Sequence, residues 1–109
     1  MLVEDELLVA MMLEDILRSQ SCVIVGPIPR VQPALKVACE EPLDAAVLDV
    51  NLAGERVDPV ATALAERGIP FLFVTGYDRS MLPPAHADRP ALVKPFRPAQ
   101  LTDGLIALL

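Results

Sequence analysis

Apolar residues fall in short bursts along the chain, at 1–3, 22–25, 45–48, 71–74 and 91–93. Each burst is too short for a helix and ends at Gly, Pro or a charged residue, which marks it as a strand. Between the bursts the apolar spacing becomes helical. Val9, Met12, Leu13, Ile16 and Leu17 share one face, as do Val31, Ala34, Leu35, Ala38 and Cys39. Val57, Val60, Ala61 and Leu64 form a third face, and Leu101, Leu105, Leu108 and Leu109 a fourth. Strands that alternate with helices predict a parallel sheet, and nearly uninterrupted apolar strands suit a sheet covered on both sides. The expected class is α/β: one doubly wound domain over residues 1–109.

Turn residues support these boundaries. Gly26, Pro27 and Pro29 close the second burst, Pro59 fits the first turn of a helix, Gly68 and Pro70 end it, and Pro98 opens the last helix. The stretch DRSMLPPAHADRP breaks the rhythm. Its adjacent Pro83 and Pro84 interrupt any helix after the fourth strand, so that crossover is expected to be short and irregular, with His86 an exposed loop imidazole. The first strand looks clipped, because only three residues precede the first acidic pair. The chain is expected to end with its last helix and to carry no output domain.

Composition narrows the options. A chain of 109 residues, 53% of them hydrophobic, suffices for one core. The net charge of -6 and the lack of a basic run argue against a nucleic-acid partner, since phosphate backbones demand clustered Lys and Arg. The longest wholly apolar run, 7–13, is far below the ~20 residues of a membrane span. No signal segment precedes it, so a soluble, cytoplasmic protein without membrane contact is expected. Cys22 and Cys39 are expected to be buried, reduced thiols; with a single His, a metal site of the Cys/His type is not expected.

In a parallel sheet the carboxyl ends of the strands lie along one edge, where ligands bind. The first strand is followed by Glu4, Asp5 and Glu6; the third ends at Asp49, with Asn51 two residues on; the fourth ends at Thr75 and the fifth at Lys94. Clustered carboxylates repel, and one is driven toward protonation unless a cation sits among them. Mg2+ suits such an oxygen-rich set. Asp5, Asp49 and the backbone carbonyl of Asn51 are the expected ligands, with Glu4 acting through water. Asp49 then has a free oxygen for nucleophilic attack on phosphorus, and Lys94 and Thr75 stand where the transferred charge develops.

These residues resemble the bacterial two-component response-regulator receiver domain. The matching stretches are LVEDE, LDVNLAG, FVTGY and VKPF, in order and each at an expected strand end. The resemblance implies a flavodoxin-like (βα)5 domain with strand order 2-1-3-4-5 and a cis peptide between Lys94 and Pro95. It implies Asp49 as phosphoacceptor, Glu4 and Asp5 as the acid pair, Thr75 as switch hydroxyl, Lys94 as phosphate contact and Mg2+ as cofactor. It also implies a sensor histidine kinase or phosphotransfer protein as donor, an unknown downstream partner, and no turnover of an external substrate. Departures exist. Leu52, Ala53 and Gly54 stand in place of the usual Met-Pro, Ala91 takes the usual aromatic switch position, and FVTGY is similar to a subfamily with Phe-Ala-Thr-Gly-aromatic, in which Tyr77 becomes the candidate signalling ring.

Two other classes use part of this set. Phosphohydrolases of the haloacid-dehalogenase type also combine a strand-end Asp, a Thr or Ser and a Lys. Their general acid, a second Asp two positions on, is here Asn51. A pseudo-receiver, binding partners without taking phosphate, is the remaining alternative, kept open by the altered Leu-Ala-Gly loop.

Overall fold

The chain runs β1 (Leu2–Val3), α1 (Leu7–Ser19), α2 (Val31–Glu40), β2 (Ala46–Asp49), β3 (Asn51–Leu52), β4 (Glu55–Arg56), α3 (Asp58–Glu66), β5 (Phe71–Thr75), β6 (Ala91–Val93) and α4 (Pro98–Leu108). The computed structural model describes residues 1–76 and 79–109. Strands β1, β2, β5 and β6 form one parallel sheet in that order. Their side chains alternate between two cores. Ala46, Leu48, Phe71 and Phe73 pack toward α2 and α3, whereas Val47, Leu72 and Val74 pack with Leu13, Ile16 and Leu17 of α1 and Leu101 and Leu105 of α4. Every residue of β2 and β5 is buried, as central strands covered on both faces must be. The outer strand β6 is only half-buried.

The expected second strand, 22–25, is absent as a regular strand. Its segment still runs along the free side of β1: Leu2 N–H donates to the Val25 carbonyl, Ile28 N–H to the Leu2 carbonyl and Glu4 N–H to the Ile28 carbonyl. Val3 and Ile28 form a parallel bridge, which puts this segment in the place that the order 2-1-3-4-5 requires. Two features keep it irregular. Its partner β1 is two residues long, and the cis Gly26–Pro27 unit interrupts the ladder where Pro has no N–H to give. Gly26 has φ 115°, and a Cβ there would lie 2.5 Å from the Leu2 carbonyl oxygen, so the close approach requires glycine. Val23 is consequently 95% exposed. Cys22 and Cys39 are free, as expected, but exposed. Cys22 was to be covered by a regular strand that does not form, and Cys39 lies beyond the buried Ala38 near the end of α2.

After β5 the chain makes two single 3-10 turns, Arg79–Met81 and Pro84–His86, instead of a helix, as the paired prolines predict. His86 is not exposed. The residue is 8% accessible, its ring lies edge-on to Phe71 at 5.7 Å, and its Nε2 shares a 3.1 Å hydrogen bond with Thr62 Oγ1 of α3. The prolines fold this segment back over the core, and sequence spacing had no means of showing that. Among the described residues no helix is long and apolar enough to cross a membrane.

The segment after β2 forms a tight hairpin, in which β3 and β4 pair Asn51 with Arg56 and Leu52 with Glu55. Its central residues, Ala53 and Gly54, have φ of 50° and 88°. Positive φ at both positions is the requirement of a type I′ turn, for which Asn-Gly is the favoured pair. Alanine in this region costs about 1–2 kcal/mol. Ala53→Asn should therefore stabilise the fold by roughly 0.5–1 kcal/mol, a rise of a few degrees in Tm in a thermal melt.

Candidate functional site

Because the four strands are parallel and nearly in register, with Val3 beside Leu48, Asp49 beside Val74 and Thr75 beside Val93, their carboxyl ends meet at one edge. Asp5, Asp49, Asn51, Ala53, Thr75 and Lys94 line a cleft there of about 370 Å3. Glu4, Asp5 and Asp49 each offer a carboxylate oxygen, and these oxygens lie within 4.8 Å of one another. Lys94 faces them. Its Nζ is 2.9 Å from Glu4 Oε1, 3.6 Å from Glu6 Oε1 and 3.7 Å from Asp49 Oδ2. The Lys94 backbone N–H donates to the Thr75 carbonyl at 2.7 Å, which joins the ends of β5 and β6.

Glu4 lies beneath the cleft instead of lining it. It is 1% accessible, and its Oε2 accepts the backbone N–H groups of Asp5 and Glu6 at 3.1 and 3.3 Å. Its Oε1 is sealed from solvent and makes a close ion contact with Lys94, without the alignment of a hydrogen bond. Asp5 is only half-buried; its Oδ2 accepts the Ala53 N–H at 2.9 Å, leaving Oδ1 for another ligand. Asn51 is exposed at the rim, Asp49 is 6% accessible and Thr75 1% accessible. Tyr77, the candidate signalling ring, lies outside the described residues.

The electrostatics follow from this crowding. Burial is the main cause that pushes the Asp49 carboxyl up to about 8; hydrogen bonding and repulsion from Glu4 add to it, and the Lys94 charge opposes it. Burial works against the Lys94 ammonium as well, but Glu4, Asp49 and Glu6 outweigh that and hold its pKa above the usual lysine value. Three carboxylates, Glu4, Glu6 and Asp49, thus face one lysine, and in the metal-free pocket burial and the neighbouring Glu4 push Asp49 toward its protonated form. A divalent cation would replace that proton. The donor set fits Mg2+, since it offers hard oxygen ligands from Asp5 and Asp49 in an open cleft.

The raised Asp49 pKa has a consequence for stability. Unfolded, this group titrates near 3.8; folded, near 8. Between these values the folded state binds a proton that the unfolded chain releases, so this contribution is full below pH 4 and lost as pH rises toward 8. The metal-free Asp49→Asn protein, neutral at every pH, should melt above the wild type at pH 8, with the gap closing toward pH 4. Calorimetric melts over that range check the sign; parallel pH profiles would contradict it.

Two contacts were not apparent from sequence. Glu6, just before the start of α1, is exposed yet reaches Lys94. Ala53 contributes its backbone N–H to Asp5, for which Gly54 after an exposed Ala was the one available sign of a tight turn.

A doubly wound sheet that gathers three carboxylates, a threonine and a lysine at its carboxyl edge defines a flavodoxin-like α/β domain with a binding cleft at the strand ends. No protein-family model and no curated protein sequence matches the chain. Solved structures do. The solution structure of SdrG from Sphingomonas melonis Fr1 is 46% identical, covers 98% of this chain and 92% of its own, and superposes with a TM-score of 0.87. A solution structure of the BeF3-activated conformation of SdrG, from Pseudomonas melonis Fr1, matches at 46% identity over 99% of this chain and 92% of its own, with a TM-score of 0.81. The response regulator PhyR from Brucella abortus is 28% identical over 99% of this chain but only 46% of its own, with a TM-score of 0.83. The chain belongs to the response-regulator receiver domain family.

Proposed function

We propose that this receiver domain takes a phosphoryl group from the phosphohistidine of a sensor kinase or phosphotransfer protein onto Asp49, and that the modified domain binds or releases a downstream protein. The carrying observation is the convergence of Glu4, Asp5 and Asp49 within 4.8 Å, with Lys94 Nζ 3.7 Å from Asp49. The likeness to SdrG supports it, because that protein has a BeF3-activated conformation and beryllofluoride on a carboxylate imitates a phosphoryl group.

Asp5 and Asp49 would hold Mg2+ with the Asn51 backbone carbonyl. The ion supplies neutralisation of charge on the transferring phosphoryl oxygens. Asp49 uses one carboxylate oxygen to attack phosphorus: the P–O bond forms as the P–N bond of the donor breaks, and the electron pair leaves with the imidazole. An ionised carboxylate needs no base, so the residues around it have only to position and neutralise. Lys94, held by buried Glu4, lies where the phosphoryl oxygens arrive, and the Thr75 hydroxyl closes the same side. Glu4, whose oxygens face Lys94 and the backbone N–H groups of Asp5 and Glu6, would fix Lys94 and the start of α1 and act on the metal only through water.

The acyl phosphate is a signal and not a turnover intermediate. Asn51 stands where a phosphohydrolase of the haloacid-dehalogenase type has its general acid, and an amide has no proton to give in that role. Phosphorylation adds roughly 1.5 to 2 negative charges at the cleft, enough to draw in Thr75 and Lys94 and bias a two-state equilibrium around the ends of β5 and β6. Incubation with acetyl phosphate tests this: a mass gain of one phosphoryl group is expected with Mg2+ and not with EDTA. Failure to gain mass under both conditions would favour the pseudo-receiver.

A further inference from the structure

Arg56 lies on the exposed strand β4, away from the groups that would touch a phosphoryl group. Its guanidinium nevertheless links two parts of the site. Nε donates to Asp58 Oδ1 at 3.0 Å, and Nη2 donates to the Met81 backbone carbonyl at 3.1 Å. One end of this link is firmly seated. Arg56 pairs with Asn51 across the hairpin, Leu52 and Val57 are fully buried, and the Val57 N–H donates to the carbonyl of Val50, the residue after Asp49. The other end is the 3-10 turn Arg79–Met81, just beyond the Thr75 strand end and just before buried Leu82. An isolated 3-10 turn is weakly held by its own hydrogen bonds, so a charge-assisted donor on its last carbonyl adds to the burial of Leu82 in placing it.

We infer that Arg56 is a positioning residue that tethers the Met81 turn to the phosphoacceptor hairpin and so favours the arrangement of the Thr75 strand end that lacks a phosphoryl group. The inference rests on Asp49 as the phosphoacceptor. The Met81 turn follows the Thr75 strand end in the chain, and the Arg56 contact, anchored on the hairpin, holds that turn in the arrangement that lacks a phosphoryl group. A ligand that prefers the shifted arrangement then binds more weakly by the amount the tether favours the other one. Asp58 orients the guanidinium for this contact. Lysine at position 56 has no fork with which to serve both acceptors at once.

Beryllofluoride with Mg2+ is the probe, titrated into the full chain and followed by NMR amide shifts. Arg56→Ala should bind it about two- to tenfold more tightly than wild type, the span of one net hydrogen bond, with Arg56→Lys between them. Without ligand, amide hydrogen exchange across residues 79–86 should be faster in Arg56→Ala. A merely structural role would lower Tm and weaken beryllofluoride binding together, so unchanged or weaker binding in Arg56→Ala overturns the tether. If wild type binds no beryllofluoride, the phosphoacceptor reading fails by itself, and the tether is judged by exchange: rates at 79–86 unaffected by Arg56→Ala overturn it.

Discussion

Asp49→Asn protein, incubated with acetyl phosphate and Mg2+, is expected to show no mass gain above the background of an unreacted chain. The amide has neither the charge nor the free lone pair of the carboxylate nucleophile, and no other carboxylate occupies its position at the end of β2. Asp5 is turned toward Ala53 and Glu4 is sealed beneath the cleft, so neither stands in for it. Asp49→Glu is the stricter comparison. It restores the charge but moves the oxygen by one methylene, and a misplacement of that order costs about 100-fold in rate. Labelling of Asp49→Asn at the wild-type level would place the acceptor elsewhere and remove the proposed function, whereas its stability at pH 8 would still report on the buried carboxyl.

Lys94→Met should lower the stability of the domain sharply while leaving its shape intact. The Lys94 side chain is 17% exposed and that of Glu4 0%, so removing the ammonium leaves a carboxylate sealed in the protein, with Asp49 nearby, and no cation to offset it. Breaking a buried pair from one side costs about 3–5 kcal/mol. For a domain of this size that corresponds to a fall in Tm of more than about 10 °C. Glu4→Gln in the same chain removes the stranded charge and should recover at least half of the loss. A thermal melt of the single and double variants settles the matter: if Lys94→Met melts with the wild type, Lys94 serves only the ligand and the Glu4 contact contributes nothing to folding. The same pair explains why Glu4 tolerates complete burial.

Much of the fold was legible because its physics is local. The 3.6-residue spacing of Leu13, Ile16 and Leu17 on α1, and of Val60, Ala61 and Leu64 on α3, places those residues in the core where the helices meet the sheet. The strand at 91–93 and the proline start of α4 at Pro98 agree with expectation, as does the cis Lys94–Pro95 bond that the family resemblance implied. The site was legible for a different reason. Parallel strands must end at the same edge, so chemistry after each strand converges without any contact having to be known.

Other features depended on long-range geometry. The segment 22–25 has the composition of a strand, yet whether it pairs depends on the two-residue length of β1 and on the Gly26 approach to Leu2. His86 reads as a loop residue until Phe71 and Thr62 are seen to enclose it. The raised Asp49 pKa and the Arg56 contact with Met81 arise between residues 25 or more positions apart. Sequence by itself determined the four helices, the strands of the parallel sheet other than the irregular 22–25 segment, the two-sided core and the set of groups at the sheet edge, since these follow from periodicity and strand direction. Only the tertiary structure decided which carboxylate burial pushes toward protonation, which one is buried behind the lysine, and how the Leu-Ala-Gly turn grips Asp5. Those outcomes depend on distances of a few ångströms between segments remote along the chain, where burial and charge act through space.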